Sequence, residues 1–203
     1  MPPTSRTHAT NNESEHHTMT STALSMQQML HDTIVESHGL FNRFLAGFNQ
    51  TNHTTQAEGL PNHAAWSLGH CALVMHRVAA ALDGNDLPDT DFITGDGTQG
   101  DADHFDTEGV FINSTPVDDP SQYPTWERCQ NIFDDAVTRL AQAALNAPDE
   151  ILCAESPWLD RMLPRWQLAQ RVLLHNAVHS GQLIDLRRAL NFDSVIVLPD
   201  NSN

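Results

Sequence analysis

Two histidines, His175 and His179, stand four residues apart in a segment with helical periodicity. Side chains at this spacing lie on one face of a helix, about 6 Å apart. Two imidazoles can therefore bind one metal ion at about 2.0–2.1 Å each. The same spacing fits hydrogen-bonded core histidines or a half-exposed polar seam, so the pair alone leaves metal binding open. Asn176 and Gln182 could orient the rings by accepting their second N–H, as metal-bound histidines usually require.

His70 is the third candidate metal ligand. It lies within a second apolar segment, Trp66-Ser67-Leu68-Gly69-His70. A neutral imidazole in a protein core needs a polar partner, and an ion shared with His175 and His179 would be one. Three protein ligands without a fourth leave an open coordination position, which is typical of reactive metal sites. Imidazole ligands suit zinc, nickel, copper and iron, so they do not identify the metal.

Other polar residues are weaker candidates for the site. His38 lies on the apolar stripe of the first helix, where it could contact the metal ligands, a substrate or only the core. His63 precedes His70 by two turns and could line the mouth of a pocket or pack at the start of its helix. Glu36 and Asp185 are candidate general bases, although both also fit a solvated helix face. The sequence leaves the catalytic residues unassigned.

The composition excludes several function classes. The 203 residues carry a formal charge of −16, and the 10 basic residues are all Arg. Without Lys the chain cannot form a Walker-type phosphate loop or a Schiff base, and so acidic a surface disfavours nucleic acid. No apolar run approaches the roughly 20 residues of a membrane span. The polar N-terminus and three irregularly spaced cysteines indicate a cytoplasmic protein with reduced thiols.

Helical periodicity predicts four helices, over residues 25–49, 63–82, 125–146 and 165–190. We therefore expect an all-α four-helix bundle over residues 24–192, preceded by a disordered lead (1–23) and followed by a tail (193–203) packed across the bundle. A long loop, residues 83–119, separates the second and third helices. It holds 11 acidic residues and no Arg, which favours a solvated acidic loop. Three prolines indicate a linker before the last helix.

Two motifs in this order resemble the DinB/YfiT-like superfamily. They are residues 62–70 (Asn-His-Ala-Ala-Trp-Ser-Leu-Gly-His) and 175–182 (His-Asn-Ala-Val-His-Ser-Gly-Gln), and between them Gly109-Val110-Phe111 precedes Tyr123-Pro124-Thr125-Trp126. The resemblance covers residues 25–190. It implies a four-helix bundle, often a homodimer, with nickel, zinc or a similar ion on His70, His175 and His179. Relatives include transferases and isomerases that use a small cellular thiol, and proposed hydrolases.

These observations favour a metalloenzyme, either a hydrolase or a thiol-dependent transferase that acts on a small molecule. The first alternative is a non-enzymatic, dimeric bundle that binds a metal or another ligand. The second is an interaction protein whose histidines only pack. An open coordination position that faces a pocket would favour the enzyme, whereas a fourth protein ligand would favour a structural metal.

Overall fold

The computed structural model describes residues 23–196. Within this range it contains five α-helices, four short strands and a 3₁₀ turn at Pro120–Gln122. The helices are α1 (Met26–Arg43), α2 (Ala64–Asp83), α3 (Trp126–Asn146), α4 (Asp149–Cys153) and α5 (Arg165–Ala189). The strands are β1 (Phe92–Ile93), β2 (Phe105–Asp106), β3 (Glu155–Trp158) and β4 (Arg161–Pro164).

Four long helices pack in the ring order α1–α3–α2–α5 around one core. Helix α2 is buried on most sides, because nearly all of its side chains are apolar or small. Its end is set by Gly84, whose φ of 75° is the left-handed conformation that favours glycine after a helix. Since α2 and α5 are neighbours in the ring, residues in the middle of α2 face the middle of α5.

The all-α prediction is wrong, because the described residues form a mixed architecture of helices and small sheets. The predicted linker before α5 is in fact α4 followed by an antiparallel hairpin, in which β3 pairs with β4. Ser156 and Leu163 face inward from this hairpin, while Pro157 and Met162 pair on its outer face. The prolines are tolerated because each strand has only one neighbour, so a missing N–H on the free edge costs no ladder bond.

The acidic segment after α2 is also more ordered than a solvated loop. β1 and β2 pair in parallel, and Phe92, Phe105 and Val110 are buried. The buried Asp106 carboxylate accepts hydrogen bonds from the backbone N–H groups of Gly97, Gln99 and Glu108. Some of the acidic residues therefore hold the segment together through charge-assisted hydrogen bonds, which a count of charges cannot reveal.

Gly69 allows this segment to pack directly on α2. A Cβ atom at this position would lie 2.6 Å from the Phe105 ring and 2.9 Å from Val110 Cγ1. Any side chain larger than hydrogen would push both residues away from the helix. The absence of a side chain at Gly69 thus brings the backbone at Val110 next to His70.

One helix end differs clearly from the prediction. α1 ends at Arg43 and not near residue 49, since residues 44–52 form turns. His63 caps α2, and its Nδ1 accepts the Trp66 N–H. The predicted disordered lead falls almost entirely on residues 1–22, outside the described range, as do residues 197–203 of the tail. Val195 packs against the core. Among the described residues, no helix combines the length and hydropathy that crossing a membrane requires.

Candidate metal centre

Helices α2 and α5 bring three histidines together. Nε2 of His175 lies 3.0 Å from Nε2 of His70 and 3.3 Å from Nε2 of His179. His70 and His179 are buried, and His175 is half-buried. Across residues 23–196, no further His, Cys, Asp or Glu joins this group. The three histidines could hold a metal ion with three protein ligands.

The loop after α2 fixes the orientation of His70. Its Nδ1–H donates to the Val110 carbonyl oxygen at 2.7 Å. One face of the ring stacks on Trp66, with centroids 4.6 Å apart and planes within 10°. Trp66 is in turn held by hydrogen bonds from its Nε1–H to the Gly109 carbonyl and the Ser114 hydroxyl. The imidazole is therefore held both by its ring face and by its second nitrogen.

The two histidines of α5 have different surroundings. His175 Nδ1 lies 3.3 Å from Asn176 Oδ1, and the buried Asn176 amide donates through Nδ2 to the Met75 sulfur. His179 Nδ1 is buried and has no hydrogen-bond partner among the described residues. Gln182 lies one turn further along, but its Oε1 accepts a hydrogen bond from Asn62.

The hydrogen bonds of Nδ1 determine where the protons lie. Carbonyl and amide oxygens only accept, so neutral His70 and His175 both carry their proton on Nδ1. Their Nε2 lone pairs then face each other across 3.0 Å with no proton between them. A cation among the three Nε2 atoms would turn this repulsion into attraction. Fixed Nδ1 donors and converging Nε2 acceptors are the arrangement that metal-binding histidines normally show.

Burial keeps the three imidazoles neutral. It is the main cause that lowers the pKa of His70 to about 4; the charges of His175 and Arg77 also lower this pKa, and the Val110 hydrogen bond opposes them. Burial lowers the pKa of His179 to about 3, helped by the two neighbouring histidines. The pKa of His175 is also lowered, mainly by burial. At neutral pH all three rings are in the deprotonated form that binds metals.

A cavity of about 470 Å³ adjoins the histidines, and His70 and His175 form part of its wall. Its other walls come from α2, the loop after Val110, the β3–β4 hairpin and α5. They comprise Leu73, Val74, Arg77, Val78, Ala81, Phe111, Ile112, Ser156, Pro157, Trp158, Leu159 and Leu168. A depression of about 580 Å³ beside the end of α1 contains none of the three histidines. The cavity beside His70 and His175 is thus the space in which a ligand could reach them.

The other candidates lie away from the three histidines. His38 is between α1 and α3, with Nε2 2.6 Å from Asp134 Oδ1. His63 sits at the start of α2, where it donates to the Val117 carbonyl and packs edge-on against Tyr123. His63 therefore packs at the start of its helix and does not line the mouth of the pocket. Neither ring lines the cavity.

The two candidate general bases are on solvated faces. Glu36 is exposed on α1, and Asp185 is exposed on α5, where it pairs with Arg188 at 3.0 Å. Neither carboxylate lines the cavity beside the histidines. Both residues thus lie on solvated helix faces, which was the alternative to a role as general base.

Sequence reasoning missed three groups around the centre. Trp66 could have been found, because it stands one helical turn before His70 on the same face. The Val110 carbonyl could not have been found from the sequence, because every residue has a backbone carbonyl and the position of this one depends on the path of the loop. Arg77, two turns after His70, also lines the cavity and could have been found by the same helical spacing.

No family model and no curated protein matches this chain. Among solved structures, it is similar to the crystal structure of a conserved protein of a locus from Enterococcus faecalis. The two chains share 18% identity with a TM-score of 0.61, and the match covers 83% of this chain and 99% of the other. This likeness establishes a common fold.

Proposed function

We propose that the chain is a metalloenzyme related to the DinB/YfiT-like superfamily. In this proposal His70, His175 and His179 hold one divalent ion, and a small molecule reacts in the adjoining cavity. The observation that carries the proposal is the 3.0 Å separation between Nε2 of His70 and Nε2 of His175, both of which are acceptors. Hydrogen-bonded core histidines would place a donor against an acceptor at this distance, which requires His175 to give up its Nδ1 contact with Asn176. A shared cation is compatible with the Nδ1 contacts of both rings.

The surroundings of the three histidines fit a catalytic metal better than a structural one. No fourth His, Cys, Asp or Glu among the described residues joins the group, and two of the three ligands border the cavity. A divalent ion with a free coordination position lowers the pKa of a water molecule or a thiol and so supplies a nucleophile at neutral pH. Hydrolysis would use the water, and group transfer would use a thiol.

A thiol reaction would need a small thiol from solution. Cys71 and Cys129 are buried, and burial raises the pKa of both thiols. Cys153 is exposed at the end of α4 and does not line the cavity. The chain's own thiols are therefore too inert or too distant, and we propose a low-molecular-weight thiol as the cosubstrate of a transferase.

The proposal also covers which ion is bound, in which compartment the protein works and in what oligomeric state. Three neutral imidazoles suit zinc or nickel, and the resemblance of residues 62–70 and 175–182 to the DinB/YfiT-like motifs supports the same choice. We propose that the protein is cytoplasmic, which agrees with its three unpaired cysteines, and that it is a homodimer, which rests on the DinB/YfiT-like resemblance.

The first test is elemental analysis of the untagged full-length protein, alongside His175→Ala and His179→Ala. We expect about one zinc or nickel ion per chain in the wild type and none in either variant, with unchanged helical circular dichroism. His31→Ala is the matched control, because His31 lies on α1 beside Asp32 and outside the cluster. It should keep the ion.

Two results would count against the proposal in different ways. Wild-type protein that is free of metal, and that cannot be loaded with zinc or nickel, would exclude the metal centre. Protein that binds one ion, yet shows no hydrolysis or thiol transfer with any substrate tested, would favour the non-enzymatic metal-binding bundle.

A further inference from the structure

Arg77 supplies the positive charge in the cavity wall. Its guanidinium carbon lies 4.7 Å from the centre of the Phe111 ring, so the group rests on an aromatic face. Within residues 23–196, no Asp or Glu oxygen lies within 4.0 Å of it. Arg128 and Arg139, by contrast, are paired with Asp91 and Asp83. Among the residues that line this cavity, Arg77 is the one charged side chain.

The rest of the cavity wall is largely apolar and leads from Arg77 to the histidines. Arg77 follows His70 by seven residues, so both lie on one face of α2 about 10.5 Å apart along the axis. Leu73 and Val74 lie between them on the wall, and Trp158 of the hairpin lines the cavity as well. The cavity thus offers a cation at one end, an apolar middle, and His70 and His175 at the other end.

We propose that this cavity binds a small amphipathic organic anion. Its carboxylate pairs with Arg77, and its apolar body lies along Leu73 and Val74 toward His70 and His175. The proposal deepens the proposed function, on which it rests, by naming the substrate class: the anionic end anchors the molecule while the opposite end reaches the metal centre.

The chemistry of the anchor supports a carboxylate. A planar guanidinium can give a carboxylate two parallel charge-assisted hydrogen bonds, and stacking on Phe111 orients it in advance. The acidic surface repels anions elsewhere, so Arg77 would determine where such a ligand binds. A fully apolar ligand would leave the arginine unused, and a cationic one would be repelled by it.

The test compares octanoate with its neutral analogue octanamide by calorimetric titration of the full-length chain. Each ligand is titrated into metal-free and zinc-loaded protein, for wild type, Arg77→Met and Arg43→Met. Arg43 is the matched control, an exposed arginine at the end of α1 outside the cavity. We expect Arg77→Met to raise the Kd of octanoate at least about tenfold, as loss of a charged hydrogen bond does. Octanamide should bind all three proteins equally.

Several outcomes separate this inference from the metal proposal. If octanoate binds wild type only with zinc and is insensitive to Arg77→Met, its carboxylate is a metal ligand and the anchor is wrong, while the metal centre stands. If zinc never binds but Arg77→Met still weakens octanoate in the metal-free chain, the anchor stands without the metal. Equal weakening of both ligands, or no octanoate binding at millimolar concentration, overturns the anchor.

Discussion

At the level of single residues, His175 and His179 are equivalent by sequence spacing but not by environment. His175 has a partner for its second ring nitrogen in Asn176, whereas His179 Nδ1 has none among the described residues. A ring whose Nδ1–H is held presents Nε2 in one orientation, and the acceptor also makes that nitrogen more basic. Asn176 is therefore a positioning residue for the proposed metal centre.

We predict that Asn176→Ala weakens zinc binding about 10- to 100-fold, because His175 loses the acceptor that orients it. Asn176→Asp should retain the affinity, since a carboxylate oxygen can accept the same N–H. Competition with a chromophoric chelator gives the Kd, and circular dichroism checks that both variants fold. Equal affinities for wild type and Asn176→Ala would show that the contact does not orient the ring.

The group of three histidines could be predicted from the sequence, but its support could be predicted only in part. Spacing placed His175 and His179 on one face, and the position of His70 in an apolar segment added it from another helix, as the motif resemblance also implied. Asn176 was a candidate because it is adjacent and polar. The Val110 carbonyl could not be foreseen, because its place beside His70 depends on how a loop 40 residues further along the chain folds back.

At the level of elements, the packing of the β2 segment on α2 determines the position of Val110. Gly69 leaves room for the Phe105 ring and the Val110 side chain. A Cβ atom at position 69 would lie closer than 3.0 Å to both. The Val110 carbonyl can reach His70 Nδ1 only while this contact is kept. The geometry of the candidate site therefore depends on a residue that itself makes no polar contact with a ligand.

We predict that Gly69→Ala lowers the free energy of unfolding by about 1–3 kcal/mol, as overpacking does, and weakens zinc binding by displacing Val110. Gly39→Ala is the matched control: Gly39 is also within a helix, and a Cβ there meets nothing within 4 Å. It should stabilise the protein by about 0.5–1 kcal/mol. Urea unfolding and chelator competition measure both effects. A stabilising Gly69→Ala would show that the contact is not tight.

Asp91 anchors the start of β1 to α3. Its carboxylate accepts a hydrogen bond from Arg128 at 2.6 Å, and His76 Nε2 lies 3.6 Å from its other oxygen. Burial raises the pKa of Asp91, but His76, Arg128 and Thr90 lower it by more, so that it lies below its ordinary value. A carboxyl whose pKa is lowered by folding stabilises the protein above its unfolded pKa. It loses that effect as the pH falls through the folded value.

We predict that Asp91→Asn lowers the free energy of unfolding at pH 7 by about 1.5–3 kcal/mol, the range for hydrogen bonds to charged groups. The difference from wild type should shrink as the pH falls below about 4, because the carboxyl of the unfolded chain is protonated there and that of the folded chain only at lower pH. Urea unfolding from pH 7 to pH 3 measures it. Asp89→Asn, at an exposed position two residues earlier, should have little effect at any pH. A difference that is constant down to pH 3 would contradict the assignment.

The long helices were predictable and the segments between them were not. Side chains repeating every three or four residues reveal a helix whatever its surroundings, so α2, α3 and α5 were located to within a few residues. The β3–β4 hairpin alternates inward and outward over only four residues a strand, and its prolines suggested a linker. Asp91 and Asp106 were counted as solvent-exposed charges, because only the folded structure shows the donors that surround them.

At the level of the whole molecule, one face of α5 points away from the bundle and is apolar. Leu174 and Val178 are 69% and 62% exposed, and Ala177 and Gly181 lie on the same face at helical spacing. Small residues between larger ones let two helices approach closely. The proposed homodimer would bury this face against a second copy of the chain. Two chains of charge −16 repel each other, so the apolar contact must outweigh that repulsion.

We predict that sedimentation shows a species of twice the 22.5 kDa chain mass, and that added NaCl strengthens it by screening the repulsion between two acidic chains. Leu174→Glu should yield monomers, because it adds a charge to each side of the contact. Leu40→Glu, at a 50% exposed leucine on α1, should leave the dimer intact. Wild-type monomers at all salt concentrations would exclude this interface, whereas dimers of Leu174→Glu would place it on another face.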